Sequence, residues 1–139
     1  MRICLVLPVP SDFEPVFARL RSILQKHSQT LSVSEDTPAS YSLAAKPGPA
    51  TLNGWGGTMK RAALPVAWVQ SGKSYVSYHL MGIGDNPRLL DTLSKELEAR
   101  RQGKTCFNFN AVDETLFREL DQLTGQSIAA FRKAGFIVN

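Results

Sequence analysis

His79 and Cys106 are the side chains of this sequence best suited to chemistry, each being one of only two residues of its type. His79 lies in YVSYHLM, residues 75–81, where period two puts Tyr75, Ser77, His79 and Met81 on one face and Val76, Tyr78 and Leu80 on the other. Cys106 lies in TCFNF, where it shares a face with Asn108 while Phe107 and Phe109 take the opposite one. If the two segments are neighbouring strands, an imidazole, a thiol and an amide meet on one surface. Imidazole with thiolate suits a soft or borderline metal, or a thiol activated by a base. A complete zinc site needs further ligands, and only Cys4 and His27 remain to supply them. The plainer reading makes His79 a hydrogen-bonded sheet residue and Cys106 a small buried hydrophobe.

Two other groups of residues invite a functional reading. LNGWGGTMK, residues 52–60, has closely spaced glycines but no strand-to-helix context, so it is neither a phosphate loop nor a dinucleotide fingerprint. Trp55 within it is either a lid over a ligand or a pin that fixes the loop to the core. A pocket between the sheet and this loop would be lined by Trp55, Tyr75, His79, Cys106 and Asn108. Arg88, Lys95, Arg100, Arg101 and Lys104 form the densest basic group. Arg100, Arg101 and Lys104 are expected at a helix C-terminus, where cations are favoured with or without a ligand; the functional alternative is a shallow anion or nucleic-acid contact, extended by Lys60, Arg61 and aromatics such as Trp55. Asp113, Glu114, Glu119 and Asp121 suit a helix N-terminus and a solvated helix face alternating with Arg118. They offer no paired-carboxylate mechanism, and no Ser/His/Asp arrangement is visible.

The elements that must position these residues can be read from period and punctuation. Ser11-Asp12-Phe13-Glu14 has the form of a capping box, and Phe13, Val16, Phe17, Leu20, Ile23 and Leu24 then recur at helical spacing to about His27. Leu31 with Val33, and Tyr41 with Leu43, predict half-buried antiparallel strands. Residues 46–63, rich in glycine and proline, predict a loop. Residues 64–70 and 74–81 predict a hairpin closed by Ser71-Gly72-Lys73. Asn86 as N-cap, Pro87 in the first turn and Gly103 beyond the end predict a helix over 87–102 that buries Leu89, Leu90, Leu93 and Leu97. Residues 105–110 predict a short strand. Asp113 is placed to cap a last helix with Leu116, Phe117, Leu120 and Leu123 as its apolar stripe, interrupted near Gly125 and closed by Gly135. Regular strand–helix alternation is absent, so the expected class is α+β, an antiparallel β-sheet with helices packed on one face.

Several of these pieces, YVSYHLM, NPRLL, GKTCFNF and DETLFREL, resemble in order and spacing the YdhG-like family of small bacterial domains. The likeness runs through roughly 110 residues and is looser in the N-terminal half. It implies a frataxin-like α+β sandwich and, for some relatives, an intracellular iron chaperone. Frataxin-type iron binding uses a carboxylate-rich first helix and neighbouring strand. The matching region here carries Asp12, Glu14, Glu35 and Asp36 against Arg19, Arg21 and Lys26, and its helix is basic on balance.

Length and composition bound the rest. A chain of 139 residues with 43% hydrophobic content supports one domain with a true core, expected over 11–139 behind a leader or short strand at 1–10. The excess of 16 basic over 12 acidic residues is mild, and no basic stripe points to nucleic acid. Two distant cysteines suit a reduced, cytoplasmic setting, and no apolar run approaches membrane-spanning length. The expectation is a binding protein rather than an enzyme, monomeric or homodimeric, with no evident cofactor and a small ligand, a metal ion or a protein as partner.

Overall fold

The computed structural model describes residues 13–49 and 64–138. The first helix, α1 (Glu14–Gln25), buries Val16, Phe17, Leu20, Ile23 and Leu24, the stripe its spacing predicts. Phe13 occupies its N-cap position, while Ser11 of the expected capping box lies outside the described residues. Six strands follow in sequence: β1 (Ser32–Thr37), β2 (Ser40–Pro47), β3 (Leu64–Ser71), β4 (Val76–Leu80), β5 (Arg101–Gln102) and β6 (Cys106–Phe109). They form an antiparallel sheet in the order β1-β2-β3-β4-β6-β5, and a seventh, β7 (Ile137–Val138), pairs with Lys46 and Pro47 at the end of β2. Helix α4 (Glu114–Lys133) packs with α1 against one face of this sheet, giving the α+β architecture expected.

Alternation explains which face the helices cover. Val76, Tyr78 and Leu80 of β4, with Phe107 and Phe109 of β6, are fully or almost fully buried in the one hydrophobic cluster that also holds the stripes of α1 and α4. The buried Tyr78 hydroxyl is hydrogen-bonded to Thr124 Oγ1 of α4 at 2.6 Å, and Phe109 meets Phe117 edge-on at 5.1 Å between ring centroids. Asp113 caps α4 by accepting from the Leu116 amide, as its position predicts. Gly135, at φ 87°, ends the helical region in the left-handed conformation that glycine adopts without strain.

Other expectations are corrected. Instead of one helix over 87–102, the chain makes α2 (Gly82–Asp85), a 3-10 turn (Pro87–Leu90), the single turn α3 (Lys95–Glu98) and then β5. Of the expected leucine stripe only Leu97 is buried, and Asn86 makes no side-chain cap. Ser94 caps α3 instead, accepting from the Leu97 amide, and Glu119 of α4 receives hydrogen bonds from both the Ser94 amide (2.7 Å) and hydroxyl (2.6 Å). A cap anchored from another element starts a new turn where local spacing favours a continuous helix. Gly103 consequently sits in the β5–β6 turn. Gly125 does not interrupt α4, whose buried residues continue through Ser127, Ile128 and Phe131. β1 is exposed along its whole length rather than half-buried. The β3–β4 loop is four residues, Gly72 to Tyr75, one more than expected.

Candidate functional site on the outer sheet face

The same alternation that sends Tyr78 and Phe107 inward turns Trp68, Gln70, Ser77, His79, Cys106 and Asn108 to the opposite face, all half-buried except the exposed Gln70. No helix among the described residues packs there. Antiparallel register sets these side chains in two rows across the sheet. Ser42, Trp68, His79 and Cys106 are successive cross-strand partners, and beside them run Ser40, Gln70, Ser77 and Asn108.

The Trp68 and His79 rings stack, with centroids 4.6 Å apart and planes 14° from parallel. Stacking immobilises the imidazole, and its Nε2 lies 3.3 Å from Ser77 Oγ and 3.8 Å from Cys106 Sγ. The Cys106 thiol in turn donates to Asn108 Oδ1 at 3.4 Å. Next to the stack, a shallow groove of about 320 Å³ is bounded by Trp68, Gln70, Ser40, Ser42, Ser34 and Glu35. Imidazole, thiol, amide and indole therefore meet on one surface, and His79, Cys106 and Asn108 converge as the sequence reading anticipated.

Burial lowers the basicity of His79 and raises the pKa of the Cys106 thiol. Both shifts favour the uncharged form, because a half-buried surface solvates ions poorly. An activated cysteine shows the reverse pattern, a thiolate held by a charged imidazolium. Burial thus biases both groups toward their uncharged forms.

The remaining candidates lie elsewhere. Tyr75, 46% exposed, belongs to the hairpin tip, where with Lys73, Ser74, Ser71 and Gln70 it borders an open recess of about 570 Å³. Trp55 and its loop lie outside the described residues. Arg100, Arg101 and Lys104 are not at the end of a long helix; they flank and form the edge strand β5 and its turn. Arg101 is occupied by Glu98 at 2.6 Å and by the Gly103 carbonyl at 2.7 Å, whereas Arg100 and Lys104 are exposed.

The acidic residues of α4 are not merely a solvated face. Glu114 pairs with Arg19 at 2.7 Å, Asp121 pairs with Lys26, and Glu119 holds the Ser94 cap. Asp36 pairs with Arg21 at 2.9 Å. Arg19 and Arg21 of α1 and Lys26 just beyond it thus tie the helix to its neighbours, and Arg21 occupies Asp36, one of the carboxylates an iron ridge would use. Among the described residues no group of three or more His, Cys, Asp and Glu side chains converges to hold a metal ion, and no helix is long and apolar enough to cross a membrane.

No family model matches this chain, and comparison with curated proteins and with solved structures finds no match either. The site must therefore be argued from its own geometry. Trp68 is the residue sequence reasoning overlooked. Alternation in LPVAWVQ separates it from Val69, but its partner depends on loop length. A three-residue loop, with Gln70 opposite Ser74, would set Trp68 against Val76; the four-residue loop sets it against His79.

Proposed function

We propose that the chain is a cytoplasmic, non-enzymatic YdhG-like binding domain that holds a small planar ligand on the outer face of its sheet. The observation that carries this reading is the Trp68–His79 stack, a half-buried aromatic platform ringed by Ser77, Gln70, Asn108 and Ser42. Aromatic faces favour flat ligands by stacking, and the surrounding hydroxyls and amides supply donors and acceptors that fix orientation. The antiparallel sheet backed by helices is the architecture that the YdhG-like resemblance implies, and it supports keeping the family in the proposal. The bias of His79 and Cys106 toward their uncharged forms favours binding over thiol catalysis. The iron-chaperone alternative draws no support from α1, whose basic side chains already engage the neighbouring carboxylates.

A titration of the isotopically labelled protein with indole, adenine and nicotinamide at millimolar concentration tests this by nuclear magnetic resonance. The expected result is a shift of the Trp68 indole N–H and of the Ser77, His79 and Asn108 amides, reduced in Trp68→Ala. Shifts confined to α1 and α4, or none with any of the three probes, would refute it.

A further inference from the structure

His79 and Cys106 face each other across the β4–β6 ladder with two metal-ligating atoms, Nε2 and Sγ, 3.8 Å apart. Bonds of about 2.0 Å from imidazole nitrogen and about 2.3 Å from thiolate sulfur span that gap at a bond angle of about 120°. The separation therefore fits one ion placed between the two atoms, with neither strand having to move. A third donor of a trigonal arrangement is not supplied by any His, Cys, Asp or Glu among the described residues. The stack on Trp68 holds the imidazole plane, and His79 is a direct cross-strand neighbour of Cys106, so the spacing is set by register rather than by a mobile loop.

We propose that this pair is a binding site for a soft monovalent ion of the copper(I) class. Thiolate favours soft ions and imidazole also suits copper, and copper(I) is satisfied by two or three donors. A structural zinc ion requires a closed set of four, and among the described residues no third His, Cys, Asp or Glu side chain joins this pair. Asn108 Oδ1 and Ser77 Oγ, the other polar atoms beside the pair, are hard oxygen donors and poor ligands for a soft ion, and their contacts with Sγ and Nε2 are given up when those atoms coordinate. On coordination the Cys106 S–H proton leaves to solvent and the thiolate binds the ion. His79 ligates through the Nε2 lone pair with its proton on Nδ1, and no electron is transferred. Cys106 is a free, half-buried cysteine on the outer face.

This inference rests on the outer face being the working surface, but it does not require the planar ligand. It is tested on the full chain in a Cys4→Ser background, so that only one thiol remains. Copper(I) is titrated anaerobically against bicinchoninate as competing chelator, with zinc(II) in parallel. The expected result is one equivalent of copper(I) retained and zinc(II) bound far more weakly. Cys106→Ser and His79→Phe, the latter keeping a ring on Trp68, should each weaken copper(I) by at least the roughly tenfold to hundredfold that loss of a supporting group costs. X-ray absorption at the copper edge provides a readout without either substitution, and should show one sulfur and one imidazole nitrogen around the ion. Unchanged affinity in either variant, equal affinity for zinc(II), or two sulfur neighbours from bridged chains would overturn the site. Failure of copper(I) binding with the indole, adenine or nicotinamide shifts intact would remove the metal site alone; the reverse outcome would remove the planar-ligand reading alone.

Discussion

The two faces of the sheet are built from alternate residues of the same strands and have opposite chemistry. On the inner face Tyr78, Phe107 and Phe109 are buried against α1 and α4, and the Tyr78 hydroxyl is matched by Thr124. On the outer face Trp68, His79, Cys106 and Asn108 lie one residue away along the chain, half-buried and linked to one another. The inner face is committed to stability because its aromatic groups are close-packed and inaccessible. Those of the outer face satisfy one another only through weak or long contacts, 3.3 to 3.8 Å, which an incoming ligand can replace with little loss. A binding surface and a core can therefore share a strand without sharing a residue.

The sharpest way to break this comparison is to truncate neighbours. Phe107→Ala should cost about 3–5 kcal/mol by transfer and cavity terms, whereas Asn108→Ala beside it should cost well under about 1 kcal/mol. Urea unfolding of both variants checks this, and similar losses would erase the distinction between the faces. Next in size is Glu119→Ala, which releases the Ser94 cap and should cost about 1–2 kcal/mol, with faster hydrogen exchange confined to 94–102. An unchanged exchange pattern would mean that α3 holds itself in place.

Tyr78→Phe should lose about 1 kcal/mol, since it removes one hydroxyl while Thr124 still donates to the Leu120 carbonyl at 2.8 Å. His79→Phe, which leaves an aromatic ring on Trp68, should unfold close to wild type, and a larger loss than that of Tyr78→Phe would make the outer face structural. The smallest expected effect is a pH slope from His27 at the end of α1. Burial lowers its pKa, helped by Lys26 and Arg132 and opposed by Asp121. Below 6.5 the unfolded chain takes up a proton that the folded chain resists, so stability present above that pH is lost as the pH falls through the lowered folded value. Unfolding measured near pH 7.5 and near pH 5.5 should show the loss, and His27→Gln should flatten it.

The elements that were legible in the sequence are those whose signals are local. The α1 stripe, the Asp113 cap, the alternation of β4 and the left-handed Gly135 each follow from residues within one or two turns of the chain. Residues 87–102 were misleading for the opposite reason. Leu89, Leu90, Leu93 and Leu97 have helical spacing, but Glu119 reaches in from a distant helix to cap at Ser94, and Arg101 and Gln102 are drawn out to pair with β6. The continuity of α4 through Gly125 is likewise non-local: burial on both sides outweighs a helix-interior glycine penalty of about 1 kcal/mol.

The amino-acid sequence by itself determined the α+β class, the faces of β4 and β6, and the presence of His79, Cys106 and Asn108 on the outer one. Period two assigns a face from the strand alone. Only the tertiary structure decided that Trp68 stacks on His79, that His79 Nε2 stops 3.8 Å from Cys106 Sγ, and that the acids of α4 are tied to α1 and Ser94. The physical reason is register. Which residue stands opposite which depends on loop lengths and strand order, and a change of one residue in the Gly72–Tyr75 loop would exchange the partner that makes the site for one that belongs to the core.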